Sequence, residues 1–195
     1  IMGAYGTSDL AVNPNSLLCP EQYLYDAATP DYEFKLEEAK ALAESSGLKG
    51  KTLVYIYNAD RANMEAVAVV LQQQLSKIGV NLDIRALDST SFFKQFFGLS
   101  SYHNEEYHEW DLGTNGWDNM KGSTLYQAYS YLTQSDNAWG LTDVCGDLAV
   151  KVNTITDKAE QKKLSTELIQ LALDQYRIYP LTYTNFVMVS QKNVK

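Results

Sequence analysis

The chain has 195 residues, 45% of them hydrophobic and 21% charged, which is the make-up of a globular domain long enough to bury its own core. Its formal net charge of -8 argues against nucleic acid or an anionic membrane as the main partner. No apolar run approaches the roughly 18 to 20 residues that a membrane-spanning helix needs.

Residues 1–33 read as irregular, punctuated by Asn13-Pro14-Asn15, Cys19-Pro20 and Thr29-Pro30. A long ordered segment of this kind is expected to wrap a surface or to reach a neighbouring domain. From Phe34 the spacing of Leu36, Ala39, Leu42 and Ala43 predicts a helix, with Gly47 just past its end. Leu53-Val54-Tyr55-Ile56-Tyr57 then reads as a short buried strand. The clearest helix runs from about Ala62 to Ile78, with Val67, Val70, Leu71, Leu75 and Ile78 on one stripe, and Gly79 ends it. Val80, Leu82, Ile84 and Ala86 alternate with Asn81, Asp83 and Arg85, the pattern of a strand with one wet face. Strand, helix and strand at this spacing predict a βαβ unit with parallel strands.

A short helix rich in Phe is expected over Thr90 to Phe97, and a polar loop over Ser100 to Glu109. Trp110 to Trp117 reads as a strand running into a loop, and Thr124 to Leu132 as helical. After a loop over Gln134 to Gly140, two helices are predicted. The first covers about Thr142 to Asn153. The second starts at Asp157 with Glu160 three residues on, carries Leu164, Leu168 and Leu171 on one face, and is broken by Tyr179-Pro180. Leu181 to Val189 is a weaker final strand.

Signatures of catalysis are missing: the sequence holds no G-x-G-x-x-G, no P-loop and no G-x-S-x-G. Cys19 and Cys145 stand outside any zinc-ligand spacing, and either a disulfide or two separate thiols suits them. Cys145 reads as a small core residue rather than a nucleophile. The histidines, His103 and His108, share a loop with Glu105, Glu106 and Glu109, but five residues apart they read as part of a solvated acidic loop rather than a metal site. Neither a cofactor, a metal nor an enzymatic activity is expected. Fourteen Tyr and three Trp are a large aromatic load, of the kind that lines sites for polar ligands as well as ordinary cores.

Several stretches, in order, resemble the oligopeptide-binding solute receptors of bacterial ABC importers, the family 5 solute-binding proteins. Lys35 to Gly47 leading into Thr52-Leu53-Val54-Tyr55-Ile56-Tyr57 is similar to that family's helix-to-strand passage. Ala66 to Ile78 with Gly79-Val80-Asn81-Leu82, Trp110-Asp111 through Gly116-Trp117, and Asp157 through Ile178-Tyr179-Pro180-Leu181 match further motifs of it. The resemblance implies an α/β fold, a lobe of periplasmic-binding-protein type II kind, with a βαβ core and a mixed, mainly parallel sheet flanked by helices. It implies an inserted C-terminal lobe over residues 34–195, with 1–33 as an extended lead-in from a partner lobe absent from this chain.

The resemblance further implies capture of a small peptide or other small molecule in an interlobe cleft, delivery to permease subunits, and an extracytoplasmic location in the periplasm or as a cell-surface lipoprotein, with the signal segment lying outside this chain. Ligand contacts are expected at Asn115, Trp117, Asp118, Asn119 and Met120. Peptide binders of the family carry an Asp at the position of Met120, which would pair with the peptide α-ammonium. Either Asp118 takes that role or the ligand presents no amine, and Trp117 either covers the ligand or packs in the core. The alternative function is a peptide-sensing or adhesion module on the same lobe.

Overall fold

A computed structural model describes residues 11–12, 16–29, 32–96, 110–116 and 141–184. In chain order the elements are β1 (Ala11–Val12), α1 (Leu36–Ser45), β2 (Thr52–Asn58), α2 (Met64–Ser76), β3 (Asn81–Leu87), α3 (Ser89–Phe96), β4 (Leu112–Thr114), α4 (Thr142–Thr154), α5 (Lys158–Leu173) and β5 (Tyr183–Thr184).

The expected βαβ unit is β2-α2-β3. Its strands run parallel in register from Thr52 beside Asn81 to Asn58 beside Leu87. Gly47 and Gly79 both take positive φ, 75° and 76°, so each supplies the left-handed residue that ends its helix. Strand β4 adds on the other side of β2, also parallel, with Tyr55 beside Leu112 and Tyr57 beside Thr114. The order β3-β2-β4 makes β2 the central strand.

Alternation along β2 then builds two layers. Tyr55 and Tyr57 pack with Met64 and Ala68 of α2 and with Leu82. Ile56, on the opposite face, packs with Phe92 and Phe96 of α3. Right-handed crossovers leaving β2 in one direction and crossing back over it in the other require helices on opposite faces, which is what α2 and α3 provide. Phe92 and Phe96 stack at 5.0 Å, and Trp110 extends the stack onto Phe96 at 5.4 Å.

A separate buried cluster joins α4 and α5. Leu141, Cys145, Ala149 and Val152 meet Leu164, Leu168, Ile169, Ala172 and Leu173, and the irregular segment 16–29 contributes Leu18 and Leu24. That part of the segment therefore packs into the core. Asp157 caps α5, its carboxylate accepting from the Glu160 N–H at 2.9 Å. Strands β1 and β5 form an antiparallel pair, Val12 beside Tyr183. The Tyr183 hydroxyl donates to the Ser16 carbonyl at 2.6 Å.

The structure departs from the sequence expectations in several places. Helix α5 stops at Leu173, six residues before Tyr179, because the chain turns through Asp174 and Gln175 into Tyr176 at φ 55°. Leu171 is only half-buried, and Ile169 and Ala172 take the core positions beside Leu168. The strand running into a loop read over 110–117 has its strand at Leu112–Thr114, and of the final strand read over 181–189 Tyr183–Thr184 is strand, residues 185–189 lying outside the described residues. On β3 the alternation fails at its end, where Ala86 is exposed and Arg85 half-buried. No disulfide joins Cys19 and Cys145: Cys145 is fully buried in the α4–α5 core, where burial and then Asp143 push its thiol pKa up. The helix expected over 124–132 and the loops over 100–109 and 134–140, both histidines included, lie outside the described residues.

Candidate ligand-binding site

In an open parallel sheet the carboxyl ends of the strands, at the point where strand order reverses, form the default crevice for a ligand. Here that point lies between β2 and β4. Three connections meet there: the β2–α2 loop, the β3–α3 junction and the chain leaving β4.

Asn58, the last residue of β2, is 1% exposed and ties the first two together. Its Oδ1 accepts from the Asp60 N–H at 3.0 Å, and its Nδ2 donates to Ser89 Oγ at 3.1 Å. Asp60 returns the link, with Oδ2 accepting from the Ser89 N–H at 2.8 Å. Just before this junction Asp88 caps α3, accepting from the Thr90 and Ser91 N–H groups and from Ser91 Oγ at 2.6 Å. The hydrogen bonds from Ser91 hold the Asp88 pKa below the usual carboxylate range.

The β4 side is held by two contacts. The hydroxyl of Tyr55, in the buried centre of β2, donates to Thr114 Oγ1. Arg61, in the β2–α2 loop, donates from Nη1 to the Gly116 carbonyl at 3.0 Å, with its guanidinium carbon 5.6 Å from the centre of the Phe93 ring on α3. A β-carbon at Gly116 would stand 2.8 Å from that same Nη1 and 3.6 Å from Met64 Cε, so glycine leaves the room the guanidinium fills. Asn115 lies between these anchors. Its Oδ1 is buried and has no hydrogen-bond partner among the described residues.

Of the residues expected to meet a ligand, Asn115 directly follows β4 at the carboxyl end of the sheet, whereas Trp117, Asp118, Asn119 and Met120 lie outside the described residues. Arg61, Asn58, Asp60 and Ser89 were not singled out by the sequence. The available signal was an Asp60-Arg61 pair directly after a buried strand, a position where loops carry function. Among the described residues no group of three His, Cys, Asp or Glu is placed to hold a metal ion. No described helix is long and apolar enough to cross a membrane.

The family model of the bacterial extracellular solute-binding proteins, family 5 (middle), matches residues 5–139, which include the whole βαβ unit, β4 and the chain leaving it. The chain belongs to this family. Solved structures agree on the fold. CtaP, an ABC transporter substrate-binding protein from Listeria monocytogenes, matches with a TM-score of 0.78 at 23% identity, over 93% of this chain and 36% of its own. DppA from Helicobacter pylori, an ABC transporter-associated periplasmic binding protein solved with the peptide STSA, gives 0.71 at 19% identity, over 90% of this chain and 34% of its own. NikA from Staphylococcus aureus, solved with Ni(L-His)2, gives 0.69 at 19% identity, over 90% and 37%. The chain thus spans about a third of the length of these family 5 relatives, and its α/β architecture is that of a lobe of the type II periplasmic binding proteins. A comparison with curated proteins finds no match.

Proposed function

We propose that this family 5 chain is the inserted C-terminal lobe of an ABC importer's solute receptor and supplies one wall of an interlobe cleft that captures an oligopeptide. In this reading residues 34–195 form the lobe and 1–33 lead in from the partner lobe. The protein acts outside the cytoplasm, in the periplasm or as a surface lipoprotein, and its closed form is recognised by permease subunits.

One observation supports this reading above the others: the chain leaving β4 is anchored at Thr114 and Gly116 on the reversal point of the sheet, directly ahead of residues 117–120. Asn115 offers a buried carbonyl oxygen there that an ammonium or amide N–H of a ligand would satisfy. Trp117 would cover the ligand, and Asp118, with Asn119 and Met120 beside it, would take the α-ammonium in place of the acid that Met120 replaces. DppA, solved with a peptide, favours a peptide ligand, while NikA, solved with a nickel complex, sets the alternative to be tested.

The test is thermal shift on the full-length receptor against tripeptides and tetrapeptides, and against Ni(L-His)2. A peptide present at a hundred times its Kd is expected to contribute about 2.7 kcal/mol, and Asp118→Asn to lower its affinity about tenfold or more. The 195-residue chain alone should bind the same peptide weakly, since in this reading it supplies one wall of the cleft. Tight peptide binding by this chain alone would overturn the one-wall reading, and a shift with the nickel complex only would overturn the peptide assignment.

A further inference from the structure

We infer that the outer edge of β3 is an association surface for a second copy of this chain. The two strands pair antiparallel about Ile84, so that Asp83 of each copy meets Arg85 of the other. The inference does not depend on the ligand reading.

Among the described residues β3 ends its sheet, whose order is β3-β2-β4. The Asn81 N–H donates to the Lys51 carbonyl, and the Leu87 carbonyl accepts from the Ala59 N–H. Residues 81, 83, 85 and 87 therefore turn their backbone groups toward β2, and Leu82, Ile84 and Ala86 turn theirs outward. Gln72 of α2 agrees with this direction, its Nε2 donating to the Leu82 carbonyl at 2.9 Å. No described residue bonds the outward groups of Ile84 or Ala86. Such a row of N–H and C=O groups is a template for a further strand.

The charges along this edge select the partner. A two-fold axis at Ile84 sets Leu82 opposite Ala86 and Asp83 opposite Arg85, so the surface is its own complement. With Ile84 facing itself as a hydrogen-bonded pair, Asp83 and Arg85 fall at a non-hydrogen-bonded position, where side chains approach most closely. Within one copy Arg85 Nε already donates to Asp83 Oδ2 at 3.0 Å, and the axis brings two such pairs into one cluster of alternating charge. In an in-register parallel pairing Asp83 would face Asp83. The same axis keeps both copies of α2 on one face of the joined sheet. Because α2 packs on both β2 and β3, the two helices would lie about two strand spacings apart, about 10 Å, a normal packing distance. Val69, one turn before Gln72 on that flank of α2, is 42% exposed and supplies an apolar contact there. A contact of this extent belongs to the weak, concentration-dependent class.

Sedimentation of the 195-residue chain over a rising concentration series tests this, with residue-resolved amide exchange on the same samples. A monomer–dimer equilibrium is expected. The Ile84 and Ala86 amides should exchange about fivefold or more slower in the dimer, while the Asp83 and Arg85 amides, already turned to β2, change little. Asp83→Arg and Arg85→Asp, each shown to be folded by circular dichroism, should each weaken dimerisation about tenfold or more, because like charges then face one another. An equimolar mixture of the two variants should dimerise again, since each then meets its opposite. A chain that stays monomeric throughout, a dimer indifferent to both charge changes, or a mixture that fails to recover would each overturn the inference. So would an Ile84 amide already protected in the dilute monomer, which would show that another segment of the chain covers the edge.

Discussion

Gly113 faces Phe96 so closely that a β-carbon at the glycine would stand 2.8 Å from the ring edge and 3.3 Å from Ile56 Cγ1. The stacked aromatic layer beneath β4 thus reaches up to the strand's bare backbone. This contact sets the height at which β4 joins β2.

Gly113→Ala should therefore destabilise the protein by about 1–3 kcal/mol through overpacking. Combining it with Phe96→Leu should recover part of the loss, so the two changes will be non-additive in chemical denaturation. Equal effects of Gly113→Ala with and without the ring would show that the contact does not limit the strand.

The buried Asn58 side chain has two hydrogen-bonding neighbours, Asp60 and Ser89, and its removal strands the groups it serves. Asn58→Ala is expected to cost about 1–2 kcal/mol, because the part-buried Asp60 N–H and Ser89 hydroxyl lose their partner. Denaturant unfolding gives the number, and a cost near zero would mean that water replaces the amide freely.

Capping of α5 gives a milder case. Asp157→Ala should remove about 1 kcal/mol and lower Tm by about 2–4 °C, whereas Asp157→Ser should keep most of the stability. Calorimetry on the three proteins decides it.

Alkaline pH offers a charge-based test. Burial, followed by the hydrogen bond to Asp174 at 2.8 Å, pushes the Tyr32 pKa up from 10.0 to about 12. Burial likewise pushes Tyr183 upward. A raised folded pKa means that the neutral phenol is the form the fold prefers. The stabilisation is fully present below pH 10 and is lost as pH rises from 10 through about 12. Tm should hold to about pH 10 and then fall, and Tyr32→Phe should shallow that fall. Tyrosinate absorbance of wild type minus Tyr32→Phe should show a late-titrating group, and a difference curve centred on the ordinary tyrosine value would contradict the shift.

The parts of the fold that depend on local pattern were legible in the sequence. Thr52 to Tyr57 has the β-branched and aromatic run of a buried strand, Gly47 and Gly79 mark helix ends, and Asp157 with Glu160 marks a helix start. What depended on distant partners was not. Tyr176 in the left-handed region carries no sequence mark, so α5 ends earlier than its pattern predicts. The pairing of Val12 with Tyr183 joins segments at opposite ends of the chain. At the candidate site, Asn115 could be picked out by its place before Gly116-Trp117. Arg61 could not, because a lone arginine in a polar loop gains meaning only when β4 is laid beside β2.

The two-sided use of β2 has a consequence for how this lobe can change. Tyr55 and Tyr57 answer to one helix and Ile56 to the other, so no residue in the buried half of the strand is idle. A substitution there would disturb one layer or the other. The loops at the strand ends bond to one another instead, through Asp60 to Ser89 and Arg61 to Gly116, so a change in them acts on the junction of the three strands and spares the two layers beneath.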